Sequence, residues 1–141
     1  ERQWFAREWR CPTDDSYFKR FEGEMGDHPP PAGAKPPTEA EKRQSVERMY
    51  FAQCLKDETM GESIAQAHAA ASSGGKRPLV VHFNGAFHSD FREGTVARVK
   101  RRLPGKRVLV VSIIPTADLD AVAPDKNERR RADYLVYTIG K

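Results

Sequence analysis

Along this chain the spacing of apolar side chains changes twice, and each change marks a different kind of element. Tyr17, Phe18, Phe21 and Met25 recur at steps of three and four, which predicts a helix with Thr13 as its N-cap and Gly26 at its end. Ahead of it, residues 1–10 carry Trp4, Phe5 and Trp9 and read as the tail of an earlier helix. Residues 27–37 (DHPPPAGAKPP) are expected as a loop, because proline has no amide donor and a fixed φ. Helical spacing then returns for a long stretch. Val46, Tyr50, Cys54, Asp57, Met60, Gly61, Ile64 and His68 share one face, and residues 72–76 (SSGGK) end the run near residue 70. Thr38 and Glu41 open it as a capping box, each side chain answering a backbone N–H of the other.

From Pro78 the period shifts. Residues 79–83 (LVVHF) and 107–114 (RVLVVSII) are continuous apolar runs, as expected of strands covered on both faces, with Pro115 stopping the second. A basic helix capped by Thr95, with Val96, Val99 and Leu103 inward, is expected between them. Residues 132–139 (ADYLVYTI) predict a third strand. Strand, helix and strand in that order make a right-handed parallel unit. The expected fold class is α/β, a parallel sheet flanked by helices with a small helical subdomain. Its parts are residues 1–12 (end of a preceding helix), 13–55 (helical subdomain) and 38–141 (long helix, then strands and helix). Three strands buried on both faces need more covering helices than the chain supplies, and a bare apolar edge is avoided in folded proteins. The expectation is therefore the C-terminal part of a larger domain, completed by a missing N-terminal half or a companion chain.

Composition narrows the classes. The 141 residues suffice for one domain. No window approaches the roughly 18 consecutive apolar residues of a membrane span, and the opening ERQWFAREWR lacks the apolar centre of a signal peptide. Any membrane attachment is expected only through a lipid anchor outside this chain. The net charge of +4 comes from 24 basic and 20 acidic residues. The excess gathers at 98–107 (RVKRRLPGKR) and 129–131, without the aromatic platform or recognition helix of nucleic-acid readers, so it reads as a solvated helix face. Cys11 and Cys54 suit either one disulfide in an oxidising compartment or two buried thiols. They form no CxxC pair, so zinc and thioredoxin chemistry are not signalled.

Two places carry candidate chemistry. The first is residues 84–88 (NGAFH), a turn expected beyond the carboxyl end of a strand, where open parallel sheets bind ligands. There His88 is either a ligand contact or a hydrogen-bonded turn histidine, with Gly85 supplying backbone freedom. His82 reads as an interior imidazole, His68 as structural or solvent-facing, and His28 as a loop residue or a ligand contact. The second place is the inward helix face with Tyr50, Gln53, Cys54 and Asp57. A buried carboxylate or amide costs several kcal/mol unless partnered, so these groups either tie the helix to its neighbours or serve a site. Glu58 and Glu62, one turn apart, flank that stripe and read first as a solvated charged face. A phenolate such as that of Tyr50 is a hard oxygen donor for ferric haem, although a helical tyrosine is more often core.

The segments DDSYFKRF, RMYFAQCLKDETMGESIA, VVHFNGAFHSDF, VKRRLPGKRVLVVSIIP and ADYLVYT carry a resemblance. Together they look like the C-terminal half of ChaN-like haem-uptake lipoproteins, within the wider Tiki/TraB/erythromycin-esterase superfamily. The resemblance implies a haem-binding module of bacterial iron uptake, periplasmic or associated with the outer membrane, in which haem binding is linked to a homodimer. It implies Tyr50 as the oxygen ligand of the iron, Tyr17 in reserve, and His88, His28 and Lys56 as candidates for the propionates, with no catalytic residue. The lipobox cysteine and the Gly-Glu-x-His-type turn of the family's N-terminal half do not occur in this sequence. Two other readings stand beside it. In a metal-dependent hydrolase, His88 with Glu58 or Glu62 would hold a divalent metal or act as base. As an interaction subunit of a larger assembly, the chain would use its sheet edge, its basic arm and the Trp4/Phe5/Trp9 cluster.

Overall fold

Side-chain caps fix where the two helices of the first half begin. In the computed structural model, which describes residues 4–25, 36–75 and 77–140, helix α1 spans Ser16–Met25 and α2 spans Glu39–Ala71. The expected capping box forms: the Glu41 N–H donates to Thr38 Oγ1 at 3.3 Å, and the Thr38 N–H donates to Glu41 Oε2 at 2.8 Å. The bond from the Thr38 N–H, and next the one its hydroxyl donates to the same oxygen at 2.8 Å, hold the Glu41 carboxyl below its ordinary value. The cap of α1 is Asp15 rather than Thr13, since Asp15 Oδ1 accepts from the Phe18 N–H at 2.8 Å.

The chain divides into two units, Glu1–Thr59 and Met60–Lys141. In the first, α1 buries Tyr17, Phe18 and Phe21, and α2 buries Val46, Tyr50 and Cys54, the stripe that the spacing predicts. Trp4 lies in a 3₁₀ turn, and residues 5–12 are bends and irregular chain rather than the expected helix end. Their backbone donors are engaged by α2 instead: Ala6 N–H donates to Thr59 Oγ1 at 3.2 Å and Arg10 N–H to Glu58 Oε1 at 3.1 Å. Next along the chain, Cys11 is joined to Cys54 by a disulfide, with Cα atoms 5.8 Å apart, which settles the choice between bridge and free thiols.

The second unit is mixed α/β around a parallel pair of strands. Helix α3 spans Gly94–Arg102, strand β1 Val111–Thr116, helix α4 Lys126–Arg130 and strand β2 Tyr134–Ile139. β1 and β2 run parallel, in register from Val111 opposite Tyr134 to Thr116 opposite Ile139. Val96 of α3, Val110 and Ala132 form the buried core, with Val108 and Leu135 packed on it. The expected α/β class therefore holds, with a two-stranded sheet among the described residues.

Several expectations are corrected here. Residues 79–83 are extended but join no ladder, and Leu79 (87% exposed) and Phe83 (86%) point into solvent. His82 is exposed rather than interior. Pro115 does not stop β1; it lies inside the strand opposite Thr138, as proline can where its nitrogen faces an open edge. Thr95 is the second residue of α3, buried, with its hydroxyl 4.0 Å from Met60 Sδ, and Glu93 precedes the helix without a side-chain cap. Between the last two predicted strands the chain forms helix α4, capped by Asp125 accepting from the Glu128 N–H at 2.8 Å.

Candidate functional site

In the first unit the inward face of α2 and the buried face of α1 build a cluster of phenols, an amide and carboxylates. The four-residue step from Tyr50 to Cys54, and the three to Asp57, keep these side chains on one stripe. Tyr17 donates its hydroxyl to Asp57 Oδ2 at 2.6 Å, and Gln53 Nε2 donates to the same phenol oxygen at 3.2 Å. Asp57 is fully buried and this short bond supplies the partner that its burial demands. Tyr50 is the hub of the ring packing. Tyr17, Phe18 and Phe21 meet it edge-on, with ring centroids 5.9, 4.9 and 5.6 Å away. The Arg20 guanidinium lies over the Tyr17 ring, 5.5 Å from its centroid. Glu58 is fully buried rather than on a solvated face, and receives the Arg10 N–H described above.

Both tyrosines proposed for iron are thus sealed: Tyr50 is 0% exposed and Tyr17 is 2%. A ferric haem needs a phenolate oxygen presented to a broad planar guest. In the arrangement described here neither oxygen faces open space, so the cluster as folded does not fit haem without α1 and α2 parting. Lys56, on the same helix, is exposed on the opposite side of α2 from this stripe. His28 lies outside the described residues.

The second unit holds His88 in a 3₁₀ turn, Ala86–His88, closed by the His88 N–H donating to Gly85 O at 3.0 Å. Gly85 has φ −63°, ordinary extended backbone, so the turn does not draw on glycine's freedom as expected. The unusual backbone comes just after it. Phe91 (φ 58°) and Arg92 (φ 62°) occupy the left-handed region, a conformation that costs a non-glycine residue roughly 1–2 kcal/mol. Polar contacts hold it. Asp90 is buried and its carboxylate takes Ser112 Oγ at 3.0 Å and Arg131 Nε at 2.6 Å. Phe91 N–H donates to Arg131 O at 2.7 Å, and Arg92 meets Asp133 at 2.6 Å and Arg130 O at 3.2 Å. The second oxygen of Asp133 accepts from the Val110 N–H at 2.7 Å. With the Arg92 bond as the larger cause and the Val110 bond next, the Asp133 carboxyl is held below its ordinary value. This latch fastens the His88 turn to both strands' entry points. Sequence reasoning missed it, because neither Phe91 nor Arg92 is a residue type that announces a positive φ.

Of the residues considered for a metal-dependent hydrolase, Glu58 is engaged within the first unit, whereas Glu62 and His88 belong to the second. Glu62 accepts from Gln66 Nε2 at 3.2 Å on an exposed helix face. Among the described residues no three His, Cys, Asp or Glu side chains come together as a metal-holding group. Residues 1–99 match the profile of the protein family described as haem-binding uptake, Tiki superfamily, ChaN. That span takes in α1, α2, the disulfide, the tyrosine cluster and the His88 turn. No curated protein and no solved structure matches the chain.

Proposed function

The chain belongs to this haem-binding uptake family, and on that premise we propose that it is a haem-capturing module working outside the cytoplasm, a binding protein rather than an enzyme. The observation that carries the reading is the family match over residues 1–99, which covers the phenol–carboxylate cluster. The disulfide between Cys11 and Cys54 supports an oxidising compartment. Among the described residues no helix is long and apolar enough to cross a membrane.

Bound haem would supply a ferric Lewis acid and two propionates, which seek an anionic oxygen and cationic partners respectively. Tyr50 is the proposed iron donor and Tyr17 the reserve. His88, His28 and Lys56 are the proposed propionate partners. Because Tyr50 is enclosed, its use requires the α1–α2 seam to open, which breaks the bond from Tyr17 on α1 to Asp57 on α2.

Haemin titration followed by the Soret and charge-transfer bands tests the reading. A high-spin ferric spectrum is expected for the unaltered chain. Tyr50→Phe should abolish it, and Tyr17→Phe should keep it. An unchanged spectrum with Tyr50→Phe rejects Tyr50 as ligand, and no uptake by the unaltered chain rejects haem capture by these residues.

A further inference from the structure

The segment ahead of α1 is ordered in an inverted way. Its backbone is tied inward, by Ala6 N–H to Thr59, Arg10 N–H to Glu58 and the Cys11–Cys54 bridge that follows. Its large aromatic side chains point outward: Trp4 is 72% exposed, Phe5 53% and Trp9 61%. Fixing a backbone so that it displays three bare rings is unfavourable in water, both by chain entropy and by exposed apolar area. Such an arrangement is stable in use only where something covers the rings.

We propose that residues 4–10 form a membrane-surface contact that seats Trp4, Phe5 and Trp9 at the headgroup level of an anionic bilayer. The chemistry of the patch selects this occupant. Exposed Arg7 and Arg10 alternate with the rings, opposed by Glu8, the one acidic residue of the segment, and residues 4–10 contain no Leu, Ile, Val or Met. Indole rings favour the boundary between water and hydrocarbon, where the apolar body is buried and the N–H stays hydrated. Guanidinium groups beside them meet lipid phosphates. A stable protein partner needs about 800 Å² on each side from some 20–30 residues, far more than a seven-residue strip displays. An interfacial lipid contact needs only a few rings and cations. The disulfide contributes by holding the strip in one presentation, so that little ordering remains to be done on contact.

The experiment exploits the fact that Trp4 and Trp9 are the chain's two tryptophans, so intrinsic emission reports this strip. The intact, oxidised chain is mixed with phosphatidylglycerol–phosphatidylcholine vesicles and, separately, with phosphatidylcholine vesicles. Emission should move to the blue with the anionic vesicles and the chain should pellet with them. Both effects should weaken with neutral vesicles and as salt rises from about 50 to about 500 mM. Trp4→Ser with Trp9→Ser should lower pelleting by about tenfold or more. Arg7→Gln with Arg10→Gln should remove the preference for anionic lipid while leaving the rings in place. These side chains are exposed, so the fold is expected to survive both changes. The proposal is overturned if anionic vesicles leave emission and pelleting unmoved, or if pelleting persists in the Trp double variant. Emission already blue before vesicles are added, with a protein partner over the rings, overturns it as well. None of these results depends on haemin uptake.

Discussion

Two acid contacts, one buried and one partly exposed, dominate at the level of single residues, and each has a measurable consequence. Asp57 has no exposed surface and receives the Tyr17 hydroxyl at 2.6 Å. Tyr17→Phe takes away that donor while keeping the ring against Tyr50, so it isolates the hydrogen bond from the packing. Leaving a buried carboxylate short of a donor costs about 1–3 kcal/mol, and urea denaturation of the variant should show a loss of that size with an unchanged slope. Asp133 is partly exposed and held by an arginine. Its folded value lies below the ordinary 3.8, by the bond to Arg92 first and to the Val110 N–H second. A lowered acid stabilises the fold fully above the unfolded value and loses that contribution as pH falls through the folded one. Unfolding monitored in acid should therefore show the second unit weakening below about pH 4. Asp133→Asn should be weaker at neutral pH and nearly flat across that window; a variant that tracks the unaltered chain would remove Asp133 from the account.

Between elements, a bridge and a missing side chain set the geometry. The disulfide closes a loop with a sequence separation of 43. By the chain-entropy relation, opening it should lower stability by about 2–4 kcal/mol. Denaturation of the first unit with and without reductant reads the difference, and equal curves would show that the N-terminal strip is held by its hydrogen bonds alone. Gly61, on α2 within the second unit, faces α3 so closely that an added Cβ would stand 2.6 Å from Arg98 Cβ and 3.3 Å from its carbonyl carbon. Alanine improves intrinsic helix propensity by about 1 kcal/mol, but overpacking of this kind costs about 1–3 kcal/mol. Arg98 is itself buried and fixed to Gly94 O, so it cannot swing aside. Gly61→Ala should lower the melting temperature, and a rise would mean that α3 slides away at no cost. The same elements show what could be read from sequence. The capping box, the α2 stripe and the inward Val96 and Val99 rest on local periodicity, and they formed. The irregular course of residues 5–12 and the left-handed Phe91–Arg92 pair depend on partners far along the chain, which no short window contains; the Asp15 cap is local, accepting from Phe18 three residues on, and Thr13 was read in its place. The candidate site was legible in part. Spacing placed Tyr50, Cys54 and Asp57 together, but the seal over Tyr50 and the Asp90 latch exist only once the pieces fold.

For the molecule as a whole, the balance of covered and uncovered apolar surface differs between the two units. In the second, register puts Val111 beside Tyr134 and Ile113 beside Val136 on one face of the strand pair, and all four are exposed. The opposite face carries Leu135, packed on the core around Val96. Residues 79–83 add another apolar extended run with no ladder partner. A bare sheet face beside unpaired extended backbone recruits further strands, because both the apolar area and the open N–H and C=O groups gain by pairing. Of the runs that read as strands buried on both faces, two supply the paired β1 and β2 while residues 79–83 join no ladder, and the cover that such composition implies is not supplied by the described residues. This chain by itself should therefore bind an apolar dye such as ANS and should associate as its concentration rises through the micromolar range. Val136→Lys and Val81→Lys place charges on the sheet face and on the extended run respectively, without touching the core. Each should reduce dye binding and shift the light-scattering mass toward that of a single chain, the pair more than either alone. A monomer that ignores ANS at every concentration would mean that these strands find their cover within the chain, and the reading of them as interior strands would fail with it.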